Sequence, residues 1–499
     1  MIFTLLCVLG LSLCPRFAFG AGPTPGLQQT TASTSPTDSL QSGIRLVQEQ
    51  KYAEAEPKLL NAVKLRPASA EAYFYLGVTT LRLGRPAQAE SYLRHALQLD
   101  PHSVNTLYNL GVLLLDERKS RQALTYLESA NRAGPPSPEL AVNLIRAYLE
   151  ADRQDRALEF AASVSQKLKD SPAYQLALGQ CFLQHGLTSE AGRALKAADS
   201  LMPGQPDILM PLAEAYLRQG DAEGAVAALK SVSQIAAQSA EYHRLFAAAE
   251  VLAGHRDDAL AEIRRAVELA PGDPAYMLIE ARYEQKYGEQ QKAVAILEKA
   301  ESVAPNSPEV PYSIAVSYFA ADDLETTVRI VKQSLALKPD YDRAVFLLGL
   351  TEFAQGRLGS AAQDLRRAVE LRPRNPYYHC FYGMLLLSSE RPLEARKEVE
   401  RSIQLSPSYA LAHYQLGRLL VQEDDFRAAV GELEKAVTLQ TEFPEAYYQL
   451  AHAYKRLGQT GKAQKALAEF QKYHAAEYSE RQELLKQAQE TVQGQGSSP

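Results

Sequence analysis

Residues 71–103 read EAYFYLGVTTLRLGRPAQAESYLRHALQLDPHS, and this stretch decides the fold. Three small residues stand in it at fixed offsets: Gly77, Ala89 twelve residues on, and Ala96 after a further seven, which is two turns of helix. Gly84 marks a turn between the first two. Pro101 has no backbone N–H and a fixed φ, so it ends a second helix and sets the turn that follows. The stretch encodes two helices whose backbones approach through small side chains.

Stepping outward from Ala89 by 34 residues meets Ala55, Ala123, Ala157, Ala191, Ala225, Ala259, Ala293, Ala361, Ala395, Ala429 and Ala463, with Thr327 the one interruption. Thirteen 34-residue repeats therefore run over residues 36–477 without insertion or deletion. Twelve residues before the alanine stands Gly or Ala in every repeat but the fourth, and twelve after it stands proline in nine. Some repeats break these rules. Repeat four has Ile145 and Val164 at small positions and Lys169 at the proline position; repeat six has Pro211 within its first helix; repeat nine has Pro311, Thr327 and Ser334. Neutral drift explains them, and a bend in the stack is the alternative reading.

Composition excludes several functions. The 499 residues carry 53 basic and 59 acidic side chains without long single-sign runs, which gives no electrostatic footprint for nucleic acid. Four cysteines cannot form a disulfide framework, and no Cys-x-x-Cys pair is present. Ile2 to Cys14 form an apolar run too short to span a bilayer, followed by Ala18-Phe19-Gly20. Residues 1–20 are expected to be a cleaved secretory signal, although no Lys or Arg precedes the run; a retained anchor is the alternative. Residues 21–35, rich in Thr, Ser, Pro and Gly, are expected to be a disordered linker, 478–492 a capping helix and 493–499 a disordered tail. No later run is long enough to be a membrane span, and the expected location is periplasmic or secreted, with attachment to the envelope open.

The period of 34 and the order Leu-Gly-x-x-Tyr, Ala, Pro resemble the tetratricopeptide repeat (TPR) family, and residues 71–103 fit nearly throughout. The resemblance covers about nine tenths of the chain and implies an all-α fold. Each repeat should be an antiparallel helix pair, and about thirteen pairs should stack into an α-solenoid, a right-handed superhelix with a concave inner groove. The family is a binding architecture. Its carboxylate clamp needs Lys and Asn at set groove positions over successive repeats; Asn109 and Asn143 share one such column but no Asn follows one turn on, so chaperone-tail binding is not expected.

Helical phase assigns groove positions to residues six before, three before, one after and four after the small residue of each first helix. Two apolar stretches result, Leu40, Ile44, Val47, Phe74, Val78, Leu81, Tyr108, Val112 and Leu115 in repeats one to three, and Tyr312, Val316, Phe319, Phe346, Leu350, Phe353, Cys380, Met384 and Leu387 in repeats nine to eleven. Between them Arg146, Gln180, Glu214, Arg244, Arg282 and Gln285 make a mixed polar floor. Repeats twelve and thirteen add Tyr414, Arg418, Tyr448, His452, Lys455 and Arg456, a basic end that could receive an acidic peptide end or an acidic glycan. The partner-binding candidates are Phe74, Tyr108, Tyr312, Phe319, Phe346, Phe353, Met384, Tyr414, Arg418 and Tyr448.

No zincin, nucleophile-elbow or phosphate-loop motif occurs, and GQTGKA at 458–463 lacks the phosphate-loop spacing. His243, His379 and His413 share one column and are read as packing residues, not metal ligands. Cys181 and Cys380 are too far apart in the array to bond. No catalytic residue, cofactor or metal is expected. The function expected is a non-catalytic protein–protein interaction scaffold that binds other proteins or peptides outside the cytoplasm; the alternative is a structural scaffold of an envelope export machine, for example for exopolysaccharide.

Overall fold

The computed structural model describes residues 36–134 and 137–473, and every regular element among them is helical. The signal, linker, capping-helix and tail segments lie outside the described residues. Each repeat forms its expected pair, as in Ala70–Arg82 with Pro86–Leu99. The chain divides into two compact units, residues 1–167 and 168–499. The division falls at the end of the second helix of repeat four, Gln154–Leu168, beside Lys169 in the proline column. In the repeats that lie wholly within one unit the two helices pack together, and the second packs on the first helix of the next repeat in that unit.

The close approach inside a pair is read directly from its glycines. A Cβ built on Gly43, Gly77, Gly111, Gly179, Gly349, Gly383 or Gly417 would lie 2.5–2.9 Å from a branch of the residue four places after the repeat alanine, Leu59, Leu93, Leu127, Leu195, Leu365, Val399 or Leu433. The small residue thus receives a large side chain from the second helix, whereas two facing small residues were expected. Repeat four keeps the bulk and exchanges its places: buried Ile145 occupies the glycine column while Ala161 occupies the leucine column.

Other departures from the pattern are absorbed locally. Ser334 and Ser402, in a normally alanine column, donate to the carbonyls of Pro308 and Pro376 at 2.7 Å, and the Thr327 hydroxyl donates to Asp323 O at 2.7 Å. A buried hydroxyl with a partner carries little penalty. Pro211 sits inside an unbroken helix, Pro206–Gln219, and Pro311 lies in the first turn of Glu309–Ala320, where no helical bond is lost. The break in repeat six falls elsewhere, where its second helix stops at Ser231 and resumes as Ser233–Ala236.

The histidine column ties helices together. Nδ1 of His243, His379 and His413 lies 2.6 Å from Glu262, Glu398 and Glu432, nineteen residues on in each case. Each Nε2 faces a carbonyl of the preceding turn, Ala237, Pro373 or Pro407, at 3.0–3.1 Å. These imidazoles are buried, so both polar atoms need such partners.

The turn inside all thirteen repeats uses one residue with positive φ, from 58 to 83°. Seven are glycines, and Gln50, Arg118, Asp152, Asp322, Glu390 and Asp424 take the same conformation. That state costs an L-residue roughly 1 kcal/mol. Gly288 has φ +82° and open space around its Cα, so Gly288→Ala should destabilise the neighbouring helices by about 1 kcal/mol through the backbone alone. Arg118→Gly should stabilise by up to about 1 kcal/mol. Hydrogen exchange in the flanking helices checks both, and unchanged protection in the two variants would contradict this account.

Candidate partner-binding face

The first helix of every repeat supplies the candidate face. In the first compact unit Phe74, Val78, Leu81, Tyr108 and Val112 are half-buried and form an apolar strip, while Leu40, Ile44 and Leu115 are buried beneath it. The Tyr108 hydroxyl accepts from Asn143 Nδ2 at 3.0 Å, and Asn109 Nδ2 donates to Asn105 O at 2.8 Å, so both asparagines make contacts within the chain. Arg146 is held by Asp116 at 3.0 Å and Glu150 at 2.8 Å.

The apolar columns of the second unit are largely covered. Phe319 and Phe346 are 1% exposed, and Tyr312, Val316 and Tyr414 are each 7% exposed. Cys380 is fully buried, and burial pushes its thiol far above the ordinary range, which removes it as a reactive group. Phe346 packs 4.4 Å from the Tyr378 ring and edge-on to Phe381 at 5.7 Å. Phe319, Phe346, Tyr312 and Tyr414, expected to line an open groove, are therefore core residues that offer little contact area. Phe353, Met384 and Arg418 are half-buried at the rim, and Tyr448 is 54% exposed beside Phe470.

One contribution to the closure comes from a column that phase alone does not flag. Most first helices begin with a capping side chain; Ser69, Ser103, Ser137, Ser171 and Ser239 each accept a bond from the first turn. Tyr341, Tyr409 and Phe443 occupy that place in repeats ten, twelve and thirteen and make no side-chain cap. Each ring instead meets an aromatic of the preceding first helix: Tyr341 on Tyr312 at 5.3 Å, Tyr409 on Tyr377 at 4.8 Å and Phe443 on Tyr414 at 4.8 Å. Losing a cap costs about 1 kcal/mol, which burial of a ring of this size more than offsets. Burial also raises the Tyr341 hydroxyl to about 12 and pushes Tyr312 and Tyr378 higher still, so all three remain neutral. An aromatic just before the first helix was the sequence signal for the covering of Tyr312 and Tyr414.

The polar floor within the second unit is internally bonded in part. Glu214 pairs with Arg218 at 2.6 Å, and buried Gln285 donates to Ser313 O at 2.9 Å and Ser317 Oγ at 2.8 Å. In the basic end, Arg456 lies over the Phe426 ring at 4.4 Å, while His452 and Lys455 are exposed. Among the described residues one grouping brings three possible metal ligands together, Glu250, His255 and Asp258, at the turn of repeat seven. Within it exposed His255 hydrogen-bonds through Nδ1 to buried Glu250 at 2.6 Å. Cys181 and Cys380 are both buried and form no disulfide.

Models described as tetratricopeptide repeat match residues 40–104, 114–181, 182–249, 312–376, 383–447 and 444–473. No curated protein matches. Among solved structures, the crystal structure of the APC/C hetero-tetramer Cut9-Hcn1 is similar at 16% identity, covering 92% of this chain and 99% of that one with a TM-score of 0.43. No helix among the described residues is long and apolar enough to cross a membrane.

As a check on the covered face, Phe346→Ala should cost about 3–5 kcal/mol by opening a cavity, seen as lost exchange protection across residues 342–388. Tyr448→Ala should stay within about 0.5 kcal/mol of the parent. Equal effects of the two would contradict the division into core and surface.

Proposed function

We propose that this chain, which belongs to the tetratricopeptide repeat family, is a non-catalytic scaffold that holds partner polypeptides on the inner helices of its repeats. The observation that carries this reading is the strip of Phe74, Val78, Leu81, Tyr108 and Val112, half-buried apolar side chains from successive first helices. Such a strip can bury an amphipathic helix or extended peptide, whose apolar side chains supply affinity. In the second unit the contact residues reduce to the rim set Phe353, Met384, Arg418 and Tyr448. The apolar run from Ile2 to Cys14 supports a site of action outside the cytoplasm, which cell fractionation tests.

A photoreactive residue placed at Phe74 or Tyr108 should crosslink to polypeptide in the native cell, and one at Arg156, 68% exposed on a second helix, should not. Phe74→Ala with Tyr108→Ala should weaken the captured partner about tenfold or more while leaving helicity unchanged. Crosslinking that is equal at the two faces, or binding unchanged in the double variant, would refute the assignment.

A further inference from the structure

Three columns of the second helix are closed in repeats one to twelve: the repeat alanine, the residue four after it and the residue seven after it. The first is fully buried in every one of them, Thr327 included, and the other two are at most 9% exposed. In repeat thirteen these columns hold Ala463, Leu467 and Phe470. Ala463 is only half-buried, Leu467 is 42% exposed, and half-buried Phe470 packs on Tyr448 at 5.4 Å. The neighbour makes the difference. In repeat twelve Pro444–Arg456 packs on Phe426–Leu439, whereas no described helix follows Thr460–Tyr473.

Another repeat of the same kind does not fit this end. Phe470 stands where Ala62, Ala96 and Ala436 are small, and Leu485 stands one repeat after Ala451 in the Gly or Ala column. Bulk at both places opposes the close approach that the other pairs share. The chain that continues from Tyr473 has instead the length and pattern of a single covering helix. Residues 478–492 hold no Pro or Gly and place Tyr478, Leu485, Ala488 and Val492 on one side at helical spacing. As a helix they would reach about 22 Å, which matches the roughly 21 Å of Thr460–Tyr473, and residues 474–477 are enough for the reversing turn.

Charge agrees with that pairing. Thr460–Tyr473 carries Lys462, Lys465 and Lys472 against Glu469, while residues 474–492 carry Glu477, Glu480, Glu483 and Glu490 against Arg481 and Lys486, so their net charges are opposite. A segment on so short a link has an effective concentration on the order of millimolar, which favours it over a second copy of the chain.

We propose that residues 478–492 fold back as an amphipathic helix on Thr460–Tyr473 and close the stack within the same chain, over Ala463 and Leu467. Glu477 stands one repeat after Phe443, whose ring covers Tyr414. With no aromatic at that place, the cover leaves Tyr448 on the rim.

The test uses the full chain with a photoreactive residue at Leu467, prepared as an equal mixture of isotopically light and heavy protein. Crosslinks should join position 467 to residues 478–492 of the same chain, without light–heavy pairs. Leu485→Asp together with Ala488→Asp should speed amide exchange across residues 460–473 tenfold or more, while residues 342–388 keep the parent rate. Gln487→Asp, on the other side of the segment by helical spacing, should leave 460–473 as in the parent. These substitutions lie outside the described stack, and the crosslink reads the cover without them. Light–heavy pairs would replace the proposal by a contact between copies. Absence of crosslinks to 478–492, equal exchange in parent and double variant, or an equally large effect of Gln487→Asp would each overturn it.

Discussion

The contact on which the rest of the structure depends is the insertion of one branched side chain into the space left by a missing one. Leu93 fills the place where a Cβ on Gly77 would stand, 2.8 Å away, and the same geometry recurs in six other glycine repeats. It fixes the distance between the two helices of a pair and therefore the register in which the next pair stacks. Alanine at Ala213, Ala247, Ala281, Ala315 and Ala451 keeps the position small, and Ile145 with Ala161 shows that it is summed bulk which is constrained. A stack built this way tolerates Pro211, Thr327 and Ser334 because none of them enters that space with extra volume that lacks a compensating partner or hydrogen bond.

Constant columns build the stack, and the columns free to vary give each stretch its surface. In repeats two and three the caps are serines and the inner apolar residues stay half-open. In repeats ten, twelve and thirteen aromatic residues replace the caps and roof the inner residues before them. The same helical phase thus yields a usable face in one place and core in another. Hydrophobic area was exchanged for accessibility by changes at a single position per repeat.

The helix pairs, their turns and the small-residue columns were legible in the sequence because each follows from spacing along one chain segment. The period of 34 located Gly77, Gly84, Ala89 and Pro101 without reference to any contact across the stack. The exposure of Phe346 was not legible by that route, since it depends on Tyr378 and Phe381 reached across the stack. Periodicity assigns a residue to a face of its own helix and is silent on what the next helix lays over it. The histidines were placed as packing residues from their column, yet their partners required a second column: Glu262, Glu398 and Glu432 stand nineteen residues after them, a pairing visible in the sequence once the helix pair is folded. The six non-glycine turn residues escaped notice because their conformation is imposed by the helices on either side against local preference.

The arrangement also explains why the polar stretch belongs where it does. An inner face that was apolar throughout would be covered by aromatic closure or would expose a continuous patch prone to self-association. Arg244, Arg282 and Arg343 remain half-buried on the first helices of repeats seven, eight and ten, because long side chains can pack their stems while extending their charged ends to water. The Tyr341 ring, which packs on Tyr312 at 5.3 Å, stands two residues before Arg343 in the chain. A polar stretch in these columns limits how much apolar surface one side of the stack presents.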